Sequence, residues 1–522
     1  MANTLEIVDL ATESKVKLIF PPASGNRIST SPSAFPFPLD QSEIAEIQWY
    51  LTDYLGNPYG PAENRAKVVE AGLRNLGRLL FEGVFGSSPE AKEILQQAES
   101  QGWEQCRLAL VSSRPEFQSL PWELLNHEDT GYLVNQLDGV IRCNQQGPLE
   151  TFFGDLPSTQ FNVLLLTPTG NEFSGNSPTG SVAPEALSAM ESSNVEFGLD
   201  CLRPASLQAL EDQLTARTGS YHLVHLDGFD VDSDGLAFQA STGGTERVTA
   251  SRLAKTLNAG RVPVALLTGS SPEYALPAAN ELDLGGVPSV AVLPFPLSGA
   301  GRQLFTQAFY DALVRGSDAA RAVSTARKAL MDNPHRPSAS GPAVSWDWVT
   351  PVVYQAMEYF PAPVQPDETD APIPGMLSAQ PEQLPYELPR GGPYGLIGRR
   401  SEVLDLERSF ASSPVVLLTG DVGGGKSELA LGFASWMQKS GGRPGGVFYT
   451  SFDAGAGLEK VLHETGTALA GLEFGDLRAD DRRRWLLDYF REHDTLLVWD
   501  RVENLAGFPT GSPGLLEDEE LA

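Results

Sequence analysis

The pattern with the clearest chemistry in this sequence is a glycine-rich loop that ends in lysine and serine. It fits the spacing G-x-x-x-x-G-K-[ST]. The loop consists of Gly420, Asp421, Val422, Gly423, Gly424, Gly425, Lys426 and Ser427. Glycines allow the backbone to curve around a phosphate group, so that successive amide N–H groups point at it. A lysine at this position neutralises the β- and γ-phosphates, and the serine hydroxyl is a ligand for Mg²⁺. The loop therefore predicts a site for a nucleoside triphosphate with Mg²⁺.

The apolar runs around this loop predict the strands and the helix that position it. VVLLTG (415–420) ends at the first glycine of the loop and is typical of a buried strand. ELALGFASWMQKS (428–440) follows the loop and has helical periodicity. VFYTSF (447–452) and TLLVWD (495–500) predict two more buried strands. A strand, a glycine-rich turn and a helix in this order are the context that the phosphate-loop pattern requires. The region 394–522 is therefore predicted to be a second α/β unit.

Two acidic residues at the end of the last run are candidates for the same site. Asp500 ends the predicted strand, so its carboxylate lies at the edge of a sheet, where it suits contact with Mg²⁺ through water. Glu503 follows three residues later and could orient an attacking water. The alternative is a plain strand end with solvated acidic side chains.

These motifs, together with YGLIGRRSE (394–402), resemble the STAND family of signal-transduction NTPases. In that family a segment similar to F-x-G-R-x-x-E lies near the adenine; Gly398 and Arg399 match its centre, and Glu402 follows. The resemblance implies ATP as the nucleotide and a switch that exchanges or slowly hydrolyses it and forms oligomers. Because the family's nucleotide domain continues with further strands and a helical lid, residues 394–522 are expected to be its truncated first part.

Five short apolar runs in the first 360 residues alternate with helical patterns such as SLQALEDQLTART (206–218). The runs are CRLALVS (106–112), FNVLLLTP (161–168), YHLVHLD (221–227), VPVALLTG (262–269) and VPSVAVLPF (287–295). Such runs, separated by helices, predict a largely parallel sheet with helices on both faces, so the fold class is α/β. The proline-rich and acidic segment 361–393 predicts an extended interdomain linker.

The first region also contains the hexapeptide LPWELL (120–125), which matches the recurring signature of CHAT domains. The resemblance to this family spans about 60–355 and implies a caspase-like α/β sandwich for residues 1–360. Within the signature, Trp122 is expected to lie in the core. Glu123 is expected to satisfy buried backbone groups.

Active CHAT proteases use a cysteine thiolate and a histidine base, and this sequence has neither at the matching positions. The family's H-x-x-G-H-G segment reads HLDGFD (225–230) here, so Phe229 takes the place of the base. The L-x-A-C segment reads LTGS (267–270), so Ser270 takes the place of the nucleophile. The resemblance therefore implies a pseudoprotease, in which Phe229 and Ser270 line a former cleft or simply pack at strand ends.

An alternative is an active peptidase or serine hydrolase that uses Ser270, and it needs a base. His225 lies four residues before Phe229, about 13 Å away along an extended strand. It is expected to be a core histidine or to contact the site residues without touching a substrate. Asp227 or Asp230 could approach the serine, but a carboxylate is a poor base for an alcohol. This alternative therefore predicts an unrecognised base.

Composition restricts the partners and the compartment. The chain has 522 residues, with 67 acidic and 37 basic side chains and a formal charge of −30. This charge opposes binding to nucleic acid or to an anionic membrane surface. Three cysteines are too few for a disulfide framework, which indicates a reducing compartment. The sequence therefore predicts a cytoplasmic protein with protein or small-molecule partners.

The combined prediction is an ATP-dependent signalling switch with a catalytically inactive CHAT-like interaction domain, in bacterial defence or programmed-death signalling. The expected associations are ATP with Mg²⁺, a protein partner at the CHAT-like domain, and a nucleotide-dependent homo-oligomer. Any ATPase activity is expected to be slow. A non-catalytic scaffold, in which the second unit binds nothing, remains an alternative beside the Ser270 hydrolase.

Overall fold

The structure is a computed structural model, and its described residues fall into two compact units. One unit comprises Met1–Gly198 and Leu202–Pro372, and the other comprises Leu199–Cys201 and Ile373–Ala522. The boundary after Pro372 lies within the segment predicted to be a linker. The described residues are 3–10, 14–21, 27–35, 39, 41–127, 131–144, 156–158, 160–168, 186, 197–240, 244–269, 272–362, 377–378, 388–389, 391, 396, 399–452 and 457–504.

The strands are mostly short, as is usual where parallel strands are separated by helices. In chain order they are β1 (Asn3–Leu10), β2 (Lys15–Phe20), β3 (Ile28–Ser29), β4 (Ser33–Ala34), β5 (Cys106–Val111), β6 (Asn126–His127), β7 (Gly131–Tyr132), β8 (Gly139–Cys143), β9 (Phe161–Leu166), β10 (Phe197–Leu202), β11 (Leu223–Phe229), β12 (Val231–Asp232), β13 (Gly235–Gln239), β14 (Thr245–Val248), β15 (Val264–Gly269), β16 (Ser289–Leu293), β17 (His335–Ser338), β18 (Gly341–Val344), β19 (Val352–Gln355), β20 (Leu377–Ser378), β21 (Val447–Ser451) and β22 (Leu496–Asp500).

The helices connect these strands, and within the described ranges none is long and apolar enough to cross a membrane. They are α1 (Gln41–Thr52), α2 (Pro61–Phe85), α3 (Pro89–Gln101), α4 (Pro115–Gln118), α5 (Leu207–Ala216), α6 (Ala250–Ala259), α7 (Pro272–Leu284), α8 (Gly299–Val314), α9 (Ala319–Asp332), α10 (Arg400–Ser412), α11 (Lys426–Lys439), α12 (Leu458–Ala470) and α13 (Ala479–Glu492).

The central sheet of the first unit is built from the apolar runs that the sequence predicts as strands. Its central order is β9, β11, β15, β16, β19, β8, β5, β1 and β2. Strands β9, β11, β15 and β16 are parallel to one another, and so are β19, β8, β5 and β1, whereas β16 and β19 are antiparallel. Strands β9 and β16 are buried along their whole length, as parallel strands covered on both faces are. The predicted α/β class with a mostly parallel sheet is therefore confirmed.

Helices of this unit begin where the sequence supplies a capping side chain. Ser206, Thr249 and Asp318 each accept a hydrogen bond from the backbone N–H three residues later. Such a bond satisfies one of the N–H groups that the first turn of a helix leaves unpaired. The helix predicted within 206–218 is accordingly observed at Leu207–Ala216.

The L-P-W-E-L-L signature is part of the core of the first unit. Trp122 is fully buried, and its Nε1 donates a hydrogen bond to the Phe117 carbonyl oxygen at 2.8 Å. Glu123 is fully buried as well, but its main partners are arginines rather than the backbone groups that the sequence analysis expects. Arg142 on β8 donates two hydrogen bonds to the Glu123 carboxylate, at 2.5 and 2.9 Å. The Arg327 guanidinium on α9 lies 3.6 Å from the same carboxylate. We call these three side chains the Glu123 cluster.

The second unit contains a parallel strand pair and the helix that follows the phosphate loop. Strands β21 and β22 pair with each other, with Ser451 opposite Asp500, and α11 packs against both strands. The prediction of a buried strand at 415–420 is wrong: these residues belong to no described strand, and Val415 and Leu417 are 77% and 72% exposed. A strand needs a hydrogen-bonded neighbour, and among the described residues the sheet of this unit contains only β21 and β22, neither of which pairs with 415–420.

Candidate functional site

The carboxyl ends of β11 and β15 meet where the sequence predicts the former catalytic pair. The two strands are parallel, and the last pair in their register joins Phe229 and Gly269. Ser270 is the next residue along the chain and lies outside the described residues. Phe229 is fully buried, and its ring centroid lies 4.8 Å from that of Phe238 on β13. This burial favours packing over the lining of an open cleft as the role of Phe229.

His225 is a core histidine, as the sequence analysis expects. It is fully buried on β11, and its Nδ1 forms a 2.8 Å hydrogen bond with the Tyr310 hydroxyl on α8. Its Nε2 lies 3.9 Å from the nearer carboxylate oxygen of Asp227. Burial lowers the pKa of His225 to about 4, although the Asp227 charge acts in the opposite direction. His225 is therefore a neutral imidazole that is enclosed in the core.

The two carboxylates considered as alternative bases already have partners. The buried Asp227 carboxylate accepts hydrogen bonds from the hydroxyls of Thr268 at 3.0 Å and Thr167 at 3.3 Å. The Asp230 carboxylate accepts a 2.7 Å charged hydrogen bond from Arg247. These hydrogen bonds occupy oxygen atoms that a base would need for contact with the serine hydroxyl.

Sequence reasoning missed three hydroxyl residues that organise this region. Thr167 and Thr268 bind the Asp227 carboxylate, and Tyr310 binds His225. The Thr268 hydroxyl also accepts a 2.8 Å hydrogen bond from the Gly228 backbone N–H, which ties β15 to β11 at their ends. For the two threonines the available signal was a hydroxyl in or directly after a buried apolar run, because such a group needs a partner inside the protein.

The phosphate-loop sequence adopts a curved backbone that only glycine accepts readily. Gly420, Gly423 and Gly425 have φ values of +156°, +81° and +76°, in the region that side chains with a Cβ disfavour. Gly425 immediately precedes α11, so the first N–H groups of this helix face the loop. The N-terminus of an α-helix attracts anions, because its first N–H groups have no partner within the helix.

The structure brings together predicted residues of this loop and of β22 that are far apart in sequence. The Ser427 hydroxyl donates a hydrogen bond to Asp500 Oδ1 at 2.9 Å. Lys426 folds back on the loop, and its Nζ donates to the carbonyl oxygens of Gly420 and Asp421 at 2.9 and 3.0 Å. These two hydrogen bonds hold the Lys426 ammonium group at the loop.

Three further residues of the second unit bear on the predicted site. Glu503 is exposed on the short turn Val502–Asn504 that follows β22. The Arg399 guanidinium lies beside Gly425, since a Cβ on that glycine would be 3.6 Å from Arg399 Nη1. Tyr449, which the sequence analysis missed, donates a hydrogen bond from its hydroxyl to Asp500 Oδ2 at 2.8 Å.

This donor set fits Mg²⁺ bound with a triphosphate. Ser427 and Asp500 offer oxygen atoms, which Mg²⁺ prefers, and Mg²⁺ typically takes its remaining ligands from water and phosphates. In the described part of the chain, no group of three or more His, Cys, Asp or Glu side chains forms a complete protein cage for a metal. A site with one carboxylate and one hydroxyl is therefore suited to a metal that arrives with the nucleotide.

A buried acid outside these two regions lies on α7, the helix that follows β15. Asp283 is 3% exposed and accepts a 3.1 Å hydrogen bond from the Asn144 side-chain amide. Its other oxygen, Oδ1, has no hydrogen-bond partner within the described residues. Burial raises the pKa of Asp283 to about 7. This carboxyl therefore stays protonated in the folded protein at pH values where it is ionised in the unfolded chain.

We expect the Asp283→Asn variant to abolish a loss of stability that the wild type undergoes between about pH 4 and pH 7. The unfolded carboxyl ionises near its ordinary pKa and the folded one near pH 7, so ionisation favours the unfolded chain by up to about 4 kcal/mol as the pH rises. Asn keeps the oxygen that accepts from Asn144 but has no charge. Urea unfolding of the first unit at several pH values measures the difference between the two proteins.

The exposed Asp332 gives a matched control for this experiment. Asp332→Asn should show the same pH dependence of the unfolding midpoint as the wild type, because its carboxyl is not taken out of water. If the free energy of unfolding changed with pH in the same way for the wild type and for Asp283→Asn between about pH 4 and pH 7, the prediction would be contradicted.

Comparison with known families matches residues 74–357 to the family model described as "CHAT domain". This range is more than half of the chain and agrees with the extent of about 60–355 given by the sequence resemblance. It contains the L-P-W-E-L-L signature, β11 and β15. No sequence among the curated proteins matches the chain.

Comparison with solved structures finds the Saccharomyces cerevisiae separase–securin complex at 3.0 and at 2.6 Å resolution. Both matches have 10% sequence identity, with TM-scores of 0.36 and 0.35. They cover 68% of this chain and 30% of the matched chain, so the protein spans under a third of the length of that relative. A similarity at this level carries no conclusion about activity.

Proposed function

The chain belongs to the CHAT domain family, and from this premise we propose that its first unit is a catalytically inactive, protein-binding member coupled to an ATP-dependent switch in the second unit. The observation that carries the first half of this proposal is the buried Phe229 in the place of the family's histidine base. An acyl-transfer nucleophile needs a base within hydrogen-bond reach. Here the nearest imidazole along β11, His225, is buried, neutral and bound to Tyr310.

A serine in the place of the nucleophile does not compensate for this loss. Its hydroxyl is a weak nucleophile without an adjacent base, and the carboxylates of Asp227 and Asp230 are held by threonines and by Arg247. Loss of catalysis leaves a folded scaffold whose surface is free to bind another protein. We therefore propose that the first unit recruits or recognises a protein partner.

The second half of the proposal rests on the phosphate loop and its contact with β22. Ser427 and Asp500 meet at 2.9 Å, as a Mg²⁺–triphosphate site requires of a loop serine and a strand-end carboxylate. When bound, Mg²⁺ would neutralise phosphate charge, while Lys426 and the N–H groups of the loop hold the phosphates. We propose a slow or absent ATPase, a homo-oligomer that depends on nucleotide, and a role in bacterial defence or programmed-death signalling.

We also propose that this switch acts in the cytoplasm. The support is the state of the cysteines: Cys106, Cys143 and Cys201 form no disulfide bond in the described part of the chain. Free cysteines are the usual state in a reducing compartment.

Labelling with electrophilic probes tests the inactive state of the first unit. We expect no covalent adduct on purified protein treated with a fluorophosphonate or with a cysteine-directed acyloxymethyl ketone, because neither a base nor a thiolate activates the position of Ser270. Intact mass spectrometry of the wild type and of Ser270→Ala measures this result. An adduct that appears on the wild type and is absent from Ser270→Ala would favour the serine-hydrolase alternative instead.

Calorimetric titration with ATP tests the switch. The folded protein should release or absorb heat with ATP and Mg²⁺, and its oligomer size should change in the same buffer. A folded protein that gives no heat would favour the scaffold alternative, in which the second unit binds no nucleotide.

A further inference from the structure

Both oxygens of the Asp500 carboxylate have a hydroxyl donor. Ser427 donates to Oδ1 at 2.9 Å, and Tyr449 donates to Oδ2 at 2.8 Å. Arg501 adds a positive charge, with its Nε 3.9 Å from Oδ2. The Asp500 side chain is 13% exposed, so water has little access to it. Its orientation is therefore set by these protein groups rather than by solvent.

The two hydroxyl donors lie on different structural elements. Ser427 belongs to the phosphate loop and is itself a predicted ligand of Mg²⁺. Tyr449 lies on β21, and the parallel register that places Ser451 opposite Asp500 also fixes Tyr449 on the same face of the strand pair, two residues earlier. Tyr449 is 8% exposed, so its ring is held by packing. The position of its hydroxyl is therefore set by the packing of β21 and not by the phosphate loop.

We propose that Tyr449 is a positioning residue for the Mg²⁺ site, which holds the Asp500 carboxylate in the orientation that suits a metal–triphosphate complex. This inference rests on the proposed nucleotide binding. A hydrogen bond from a hydroxyl to an ionised carboxylate is short and strong. With Oδ2 bound to Tyr449, Oδ1 faces the serine of the loop, where a metal shared with the phosphates would lie. Ligating carboxylates in metal sites generally depend on such a second partner.

The Tyr449→Phe variant tests this role, because it removes one oxygen atom and keeps the buried ring. We measure ATP affinity with Mg²⁺ and with EDTA and compare the factor by which Mg²⁺ improves it. This factor should fall roughly 10-fold in Tyr449→Phe, while the affinity in EDTA should remain close to that of the wild type. A purely structural defect would weaken ATP binding in both buffers.

Tyr489→Phe is the matched control, since Tyr489 in the same unit donates its hydroxyl to the Gly445 carbonyl at 3.1 Å, without contact to Asp500. This variant should keep the full effect of Mg²⁺. A second test uses Asp500→Asn: because Tyr449 acts through Asp500, adding Tyr449→Phe to Asp500→Asn should cause no further loss of the Mg²⁺ effect.

The outcomes separate this inference from the proposed function. If the wild type binds no ATP, both are overturned. If the wild type binds ATP with Mg²⁺ and Tyr449→Phe keeps the same Mg²⁺ factor, the proposed function stands and the role of Tyr449 is overturned. A full additional loss in the double variant would also overturn it, because Tyr449 would then act independently of Asp500.

Discussion

Replacement of Glu123 by Gln is expected to destabilise the first unit by about 3–5 kcal/mol, the cost of leaving a buried charge without its partner. The Glu123 carboxylate is fully buried and pairs with Arg142 at 2.5 and 2.9 Å, with Arg327 at 3.6 Å. Gln has nearly the same shape but no charge, and its amide N–H₂ would face a guanidinium. Urea unfolding of the wild type and the variant measures the loss.

The electrostatics of the Glu123 cluster give the reason for so large an effect. Burial by itself raises the pKa of Glu123, but the charges of Arg142 and Arg327 outweigh it, so that the net direction is down. Burial also lowers the pKa of Arg327 to about 10, and Glu123 opposes this shift. Because the folded pKa of Glu123 lies below its unfolded value, its stabilising effect is present at neutral pH and is lost as the pH falls through that lowered pKa.

A surface ion pair serves as the control for this prediction. Glu82 accepts from Arg78 on the exposed face of α2, and Glu82→Gln should hardly change the unfolding midpoint, since exposed pairs are screened by water. Arg142 and Arg327 also donate to backbone carbonyl oxygens, and a loss for Glu123→Gln as small as that for Glu82→Gln would show that these partners suffice. In a double-mutant cycle, Glu123→Gln and Arg142→Met should be strongly non-additive.

Replacement of Lys426 by Ala is expected to weaken ATP binding on the order of 100-fold, because it removes charged hydrogen bonds to the phosphates. Lys426 is the basic side chain of the phosphate loop, and its Nζ now binds the Gly420 and Asp421 carbonyl oxygens. These are exposed contacts, so their loss should leave the fold intact. Calorimetric titration with ATP and Mg²⁺ measures the affinity, and size-exclusion chromatography in the same buffer measures the oligomer.

Lys439, at the opposite end of the same helix, provides the matched control. Lys439→Ala removes the same charge from α11 but lies far along the helix from the loop, and it should bind ATP like the wild type. If Lys426→Ala matches the wild type in both nucleotide affinity and oligomer size, the phosphate loop does not operate a switch in this protein.

The sequence alone predicted those features whose cause is local. The buried strands β9, β11, β15 and β16 follow from continuous apolar runs, since a strand covered on both faces has no polar side. Helix α5 follows from the helical pattern within 206–218, and the structure shows that the Ser206 side chain caps its first turn. The curved backbone at 420–425 is also local, because the glycines that allow it lie within six consecutive residues. The assignment of Phe229 to the place of the family's histidine base also rests on local spacing, that of the H-x-x-G-H-G segment, and it stays a prediction.

Tertiary structure decided which distant residues share a site. Tyr449 reaches Asp500 because β21 and β22 are paired in one register, and 51 residues of chain separate the two side chains. Glu123 meets Arg142 and Arg327 because a loop, β8 and α9 converge in the core. Whether the apolar segment 415–420 pairs as a strand likewise depends on its neighbours and not on its own residues. A hydrophobic pattern indicates whether a segment is buried. The partner of a buried charge or of a strand is set by the topology of the fold, and a local sequence pattern carries no information about that topology.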